Sequence, residues 1–364
     1  MIAALRTLYR GENSWDFLRV SRKVLIGSAA AVLICVVALL ARGLNLGIEF
    51  EGGSVWEVPV PASVDGTDVP ASDLPTTEDI AEAADAAGVP DARVQFVTVT
   101  GASDIFRIRG VLGPGANAAD IADALSSAVG VGVESLSTRQ VSPSFGDEVA
   151  GKARRALVVF FVLIALYLWF RFEWKMSVGA LVAVAHDILL TVGAYAVFGF
   201  EVTPATVVAF LTIMGYSLYD TIVVFDRVKS NERSLPARSH FTYPALANVS
   251  LNQVLTRSIN TTVTSVLPVV SLLVVGAGIL GAGTLAEFAN ALLIGLLVGS
   301  YSSLFVAMPM VAWLKSYEPQ WASARTAAEA AGRHDTMESA AQALAAESYT
   351  RTAQPRPRKL GRRR

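Results

Sequence analysis

The chain has one cysteine in 364 residues, Cys35, so it can form no disulfide within itself and no cysteine-rich metal site. Its three histidines, His186, His240 and His334, are too scattered to suggest a ligand set. Charge is scarce too. Only 17% of residues are charged, against about 25% in an ordinary soluble domain, while 53% are hydrophobic and mean hydropathy is +0.48. Such a composition describes a membrane protein. The net charge of −1 hides an asymmetry: residues 44–148 are rich in Asp and Glu, while the other polar segments are rich in Arg. Topology accounts for that without invoking nucleic acid.

Length sets the next constraint, because a helix needs about 17–25 apolar residues to cross the hydrocarbon core. Six runs qualify: 24–41, 153–170, 176–200, 202–225, 258–280 and 285–314. The first follows Arg19, Arg22 and Lys23 as a signal peptide would, but no small-x-small cleavage site follows it, so it reads as a retained anchor. The expected organisation is an N-terminal arm (1–23), a first transmembrane helix (24–42), an extracytoplasmic domain (43–150) and five further helices (151–315) with a cytoplasmic loop at 227–255. A basic, partly disordered tail (316–364) ends the chain. Cations choose the orientation. Arg6, Arg10, Arg19, Arg22 and Lys23, then Arg171 and Lys175, then Arg227, Lys229, Arg233 and Arg238, and the terminal "RPRKLGRRR" all fall on one side. Both termini are therefore expected in the cytoplasm. Trp15, Trp169, Trp174 and Trp313 lie at the same helix ends. Lys152, Arg154 and Arg155 do not fit and are expected to snorkel toward head groups on the far side.

The segment between the first two runs changes to short periodic units. "GSVWEVPV", "ARVQFVTV", "DIFRIRGV" and "VGVESLSTRQV" alternate as strands, while "TTEDIAEAADAAG" and "ANAADIADALSSAVG" have helical spacing. The order β-α-β-β-α-β predicts a small α+β ferredoxin-like domain. It holds no clustered His, Ser or Cys, so it reads as a binding or gating element and not as an enzyme.

Polar groups inside the apolar runs are the strongest functional signal. "AVAHDILLTVGAY" places His186 and Asp187 near the middle of the third run, and Asp220 lies in the fourth beside Tyr216, Ser217 and Thr221. In the fifth, Arg257, Asn260, Thr261 and Thr264 recur at three- and four-residue spacing and share one helix face, which must meet protein or water. An ionised Asp in hydrocarbon costs at least about 2.5–3.5 kcal/mol. Two readings fit: a static pair, such as Asp220 with Arg257, that locks helices together, or a carboxylate that carries protons and alters helix packing as it does so. Gly295, Gly299 and Ser303 form a small-residue stripe for close helix approach. The stretch 276–283, "GAGILGAG", reads as a turn.

Four runs together carry a resemblance: "AHDILLTVGAY", "TIMGYSLYDTIVVFDRVKSNER", "SLNQVLTRSINTTVTSVLP" and "LLIGLLVGSYSSLFVAMP". With "GIEFEGGS" after the first span and "VSPSFGDEV" before the second, they resemble the SecF branch of the SecD/SecF family. The family pattern has Asp where this chain has Glu49, and Asn where it has Tyr219. The resemblance implies a six-helix bundle laid out like half of a resistance-nodulation-division (RND) transporter. It implies pairing with SecD and work beside the SecYEG channel, with SecA and YidC as further neighbours, in which the proton-motive force promotes late stages of preprotein translocation. It implies no cofactor beyond the proton gradient. Carried over, Asp220 is the relay acid, Arg257 its partner, and Glu49, Gly52 and Gly53 the hinge to the outer domain; His186 and Asp187 join the relay, with Tyr216, Ser217, Asn260, Thr261 and Thr264 as its polar support. The basic tail, outside the resemblance, reads first as a solvated end, with anionic membrane lipid or the ribosome as the partners its charge would attract. The alternatives are a proton-driven exporter of small molecules or lipids, and a passive scaffold for SecD and the insertase.

Overall fold

The computed structural model describes residues 15–60, 63–64, 67–68, 74–97, 104–113, 115–234, 242–279, 283–319, 321–323 and 326. The first apolar run is helix α1 (Phe17–Arg42), opened by Asp16, whose carboxylate accepts the Arg19 backbone N–H, and closed by Gly43. A two-residue strand, β1 (Asn45–Leu46), and a single turn, α2 (Ile48–Glu51), follow. Gly52 (φ 77°) and Gly53 (φ 123°) then turn the chain through backbone conformations that a side chain resists.

Beyond them lies the sheet domain: β2 (Gly53–Pro59), a short hairpin of β3 (Ser63–Val64) and β4 (Thr67–Asp68), α3 (Thr77–Ala86), β5 (Arg93–Val97), β6 (Ile105–Gly110), α4 (Ala118–Val129) and β7 (Ser137–Val141). The main sheet has the order β5-β6-β2-β7, with every neighbouring pair antiparallel, so the split β-α-β arrangement read from the periodicity is the one formed. Alternation decides the faces. Trp56, Val58, Phe106 and Ile108 are buried with Ile80, Ile121 and Leu125 of the two helices, while Val55, Glu57, Arg107 and Arg109 turn toward the membrane domain. Thr76 and Asp79 cap α3 reciprocally, and Asn117 caps α4.

Helix α5 (Pro143–Arg171) starts two residues after β7, capped by Ser142, and runs unbroken through the second span. The boundary expected at residue 150 therefore lies inside a continuous helix, which joins the sheet domain stiffly to the membrane. Helix α6 (Trp174–Phe198) ends at the left-handed Gly199. The strand after it, β8 (Glu201–Val202), pairs in parallel with β1 and ties the two domains together again. Then come α7 (Pro204–Ser234), α8 (Tyr243–Ser271), a π-helical segment (Leu272–Ile279), α9 (Gly283–Ser302), a second π-helical segment (Ser303–Ala307) and α10 (Met308–Lys315). Among the described residues six helices are long and apolar enough to cross a membrane, and each contains one expected run or most of it.

Two expectations change. Helix persists to Ser234 and resumes at Tyr243, so most of the 227–255 segment expected as loop is helical. Its polar residues satisfy one another, Asn231 Nδ2 donating to Ser250 Oγ and to Gln253 Oε1 at 2.8 Å each, which hydropathy alone scores as loop. The 276–283 turn is also altered, since π-helix runs to Ile279 and residues 280–282 lie outside the described residues. The small-residue stripe is a seam between α9 and α7: a Cβ at Gly295 would overlap Ile213, and one at Gly299 would lie 2.9 Å from Ser217 Cβ. Arg6, Arg10, Arg238, His240, His334 and the basic end of the tail lie outside the described residues.

Candidate functional site

The two intramembrane acids sit in different surroundings. Asp187, on α6, is 2% exposed. Its Oδ1 lies 2.9 Å from His186 Nδ1, and its Oδ2 accepts from Ser302 Oγ at 2.8 Å and from Ser217 Oγ. The other ring nitrogen of His186 lies 2.5 Å from Ser28 Oγ of α1 and 3.3 Å from Tyr301 Oη. One polar knot thus draws on α1, α6, α7 and α9. The cavity beside Asp187 is only about 10 Å³, at or below the ~10–15 Å³ that one water occupies.

Asp220, three residues on from Ser217 in α7, is only partly buried. Its Oδ1 accepts from Ser258 Oγ of α8 at 2.7 Å and its Oδ2 from Ser303 Oγ at 2.5 Å. A cavity of about 80 Å³, lined by Asp220 with Tyr216, Tyr219, Thr261 and Ser300 among others, reaches it from the outer face of α7 and α8. That volume has room for several waters. Asp220 thus borders a space with room for water, whereas Asp187 is closed in by hydroxyls and the His186 ring.

Arg257 is placed differently from the expected pair. Its Nη2 donates to Tyr219 Oη at 2.8 Å and its guanidinium lies 5.8 Å from the Tyr219 ring centroid, while no Asp220–Arg257 contact falls within 4 Å among the described residues. The physical reason is the tyrosine itself: it occupies the position before the acid and offers the guanidinium both an acceptor and a π face. The stripe of Arg257, Asn260, Thr261 and Thr264 faces outward from this chain, and Tyr216 and Tyr219 are half exposed beside it. A polar face of this kind is not stable against acyl chains and calls for a partner.

The hinge residues are held by contacts on both sides. A Cβ on Gly52 would lie 2.7 Å from Pro143 Cα, and one on Gly146 would lie 2.8 Å from the Phe50 carbonyl, so the Gly52 turn packs directly on the start of α5. Glu49 faces Arg139 at 3.9 Å.

Sequence reasoning missed a second charged site, between the open face of the sheet and the membrane domain. Arg109 Nη1 pairs with Glu201 at 2.6 Å, both largely buried; Arg107 reaches Glu57 at 2.9 Å and Glu287 at 3.7 Å. They line a cavity of about 480 Å³ with Glu49 and Arg139. Burial pushes the Glu201 carboxyl above its ordinary range, outweighing the pull of Arg109 and Arg107. Glu287, a carboxylate within the last apolar run, was the available signal. The serines around the two aspartates gave none, because serine is common in every helix.

Comparison with known proteins places these features in a lineage. Residues 121–317 match the family described as "Protein export membrane protein SecD/SecF, C-terminal", and residues 37–60 match the "SecD/SecF GG Motif". Over 343 residues the chain is 41% identical to the protein translocase subunit SecF of Streptomyces coelicolor, covering 92% of this chain and 87% of that one. It is 34% identical to SecF of Vibrio alginolyticus, covering 82% of this chain and 90% of the relative. The crystal structure of SecDF, a translocon-associated membrane protein from Thermus thermophilus, superposes with a TM-score of 0.70 at 29% identity. It matches 84% of this chain, which spans 39% of that longer protein.

Proposed function

We propose, for a chain that belongs to the SecD/SecF protein-export family, a role as the proton-coupled half of an export accessory complex. The protein is a multi-pass subunit of the bacterial membrane, RND-like in layout, that works in Sec protein export as an accessory and not as an enzyme. Its partner is SecD. The finer reading is ours. Both termini lie in the cytoplasm, as the positive-inside distribution argues, and the sheet domain faces the far side, where it meets the emerging preprotein beside SecYEG, with SecA and YidC as further neighbours.

One observation supports the proposal: Asp220 borders a cavity large enough for water, and the serine that donates to it, Ser303, is the chain neighbour of Ser302, which donates to the buried Asp187 beside His186. Ionised, Asp220 holds Ser258 of α8 and Ser303 of the α9 bulge as donors; protonated, it no longer needs both, and the three elements are free to repack. A proton crossing the field contributes about 2.3 kcal/mol per 100 mV, enough to bias a two-state element. Arg257 acts outward in this scheme. Held by Tyr219, it presents a guanidinium to SecD along the polar face of α8, where the partner supplies its counter-charge. The short Gly52–Gly53 turn and the stiff α5 helix carry the motion to the sheet domain.

The test is Asp220→Asn in vesicles that carry the complete export machinery. Proton-driven late translocation is expected to stop while complex assembly persists. Export at the wild-type rate would leave only the scaffold reading.

A further inference from the structure

Most of α1 faces away from the rest of the chain, with Ile26, Leu33 and Leu40 exposed, and its buried residues are Phe17, Ser21, Ser28 and Cys35. Ser21, Ser28 and Cys35 recur every seventh residue, so one narrow seam of small side chains holds the helix. The middle of that seam lies on α6, where a Cβ on Gly193 would overlap Cys35. Both ends of α1 are fastened. Asn248 and Asn252 of α8 accept the Leu18 and Trp15 backbone N–H groups at 3.1 and 3.0 Å. Beyond the other end, Asn45 donates to the Gly199 carbonyl at 3.2 Å and begins β1. Midway stands Ser28, the only α1 side chain that hydrogen-bonds into the Asp187–His186 knot among the described residues.

The contacts of the ring fix what Ser28 does. With Asp187 ionised, only the ring can supply the proton between His186 Nδ1 and Asp187 Oδ1, 2.9 Å apart, so the neutral ring carries it on Nδ1 and leaves Nε2 as an acceptor. Ser28 Oγ, 2.5 Å from Nε2, then donates. A second proton on the pair reverses that bond by either route. Placed on Nε2, it makes the ring a double donor; placed on Asp187 Oδ1, it is donated to Nδ1 and the ring's own proton moves to Nε2. In both cases Ser28 Oγ becomes the acceptor, and its hydroxyl proton needs a new partner. A carbonyl one turn back on α1 can serve, as Leu18 already does for Ser21 at 2.8 Å, and such back-bonding bends a helix. Tyr301 Oη, at 3.3 Å from Nε2, is beyond the range of a good hydrogen bond and does not replace Ser28. The titratable groups around the ring are Asp187, Tyr301 and, beside Tyr301, Cys35.

We propose that Ser28 is a positioning residue of the relay: its hydroxyl holds the His186 ring with Nδ1 on Asp187, and by its reversal α1 registers the number of protons on that pair. Because α1 runs into β1 and the Gly52 turn, a bend at Ser28 is passed on to the sheet domain. This inference rests on the proton-relay reading above and supplies the step by which the buried acid, and not only Asp220, acts on that domain.

The experiment joins a structural and a functional readout. Imidazole nitrogen NMR spectra of the histidine-labelled full chain in lipid bilayers give the tautomer, with His186→Gln assigning the signal. The wild type is expected to show one tautomer, protonated on Nδ1, and Ser28→Ala a mixture of two. In vesicles with the complete export machinery, proton-driven export should fall by about tenfold in Ser28→Ala, the scale of one lost hydrogen bond to a charged group. Ser28→Thr, which restores the hydroxyl, should recover most of both. An unchanged His186 spectrum in Ser28→Ala, or wild-type export in a variant whose spectrum has changed, would overturn the proposal. A Ser28→Thr variant as impaired as Ser28→Ala would also overturn it and leave Ser28 a packing residue. Asp220→Asn separates the two readings: export at the wild-type rate there sinks the relay itself, whereas export lost in Asp220→Asn but intact in Ser28→Ala removes only the link to α1.

Discussion

Ser302 and Ser303 are consecutive in the chain yet donate to different carboxylates, Ser302 to Asp187 at 2.8 Å and Ser303 to Asp220 at 2.5 Å. The change from α- to π-helix between them lets neighbouring hydroxyls serve acids on two different helices. If the two acids form one unit, the serines are coupled. Ser303→Ala and Ser302→Ala should each remove about 1.5–3 kcal/mol of support from an ionised carboxylate and slow proton-driven export by about tenfold or more. The double variant should cost less than the sum by more than about 0.5 kcal/mol. Strict additivity in a vesicle assay would divide the relay into two independent sites.

Tyr219 holds Arg257 where the expected pair would have placed Asp220. Tyr219→Phe removes that acceptor while leaving most of the ring's attraction. Its effect on the isolated subunit should be within about 1 kcal/mol, as for an exposed contact. Affinity for SecD, measured by co-purification under titrated detergent, should fall by roughly tenfold, the equivalent of about 1.4 kcal/mol. A large loss of subunit stability with unchanged partner affinity would contradict an outward-facing arginine.

Glu201 makes the junction between the two domains sensitive to pH. Its carboxyl is raised above the ordinary 4.5 by burial, so its favourable contribution is complete below 4.5 and is lost as pH rises through the raised value. The amide of Gly47, which donates to the Val202 carbonyl at 2.8 Å, reports on that junction. Corrected for intrinsic rate, its hydrogen-exchange protection should fall across that window in the wild type and stay flat in Glu201→Gln. Parallel profiles for the two proteins would remove Glu201 from the account.

Gly52 and Gly199 both have φ near 70°, but only Gly52 faces a wall. At Gly199 a Cβ meets nothing within 4 Å, so Gly199→Ala should cost only the backbone strain, about 1–2 kcal/mol. Gly52→Ala adds the clash with Pro143 and should lower the melting temperature distinctly further. Equal losses in calorimetry would mean that the turn is not clamped.

Much of this architecture was legible before any coordinates. A run near 20 apolar residues has one stable solution in hydrocarbon, a helix that satisfies its own backbone, which is why each of the six runs lies wholly or mostly in a helix. Period-two alternation from Gly53 onward specified the sheet and its buried face, Trp56 and Val58 falling on the helix side. Hydropathy misjudged 227–255 because it cannot tell a polar residue facing water from one, such as Asn231, facing another helix.

The chain's own sequence determined how many helices cross, where the sheet domain is inserted, and that acids at 187 and 220 must be accommodated, since each follows from local composition and the cost of bare polar groups in lipid. Which partner each acid takes was decided only when the helices packed. Rotation of α8 about its axis gives Ser258 to Asp220 and turns Arg257 outward to Tyr219, while the domain junction sets Arg109 on Glu201 from 92 residues away in the chain. Such pairings depend on crossing angles and rotations summed over the whole bundle, and no window of sequence contains them.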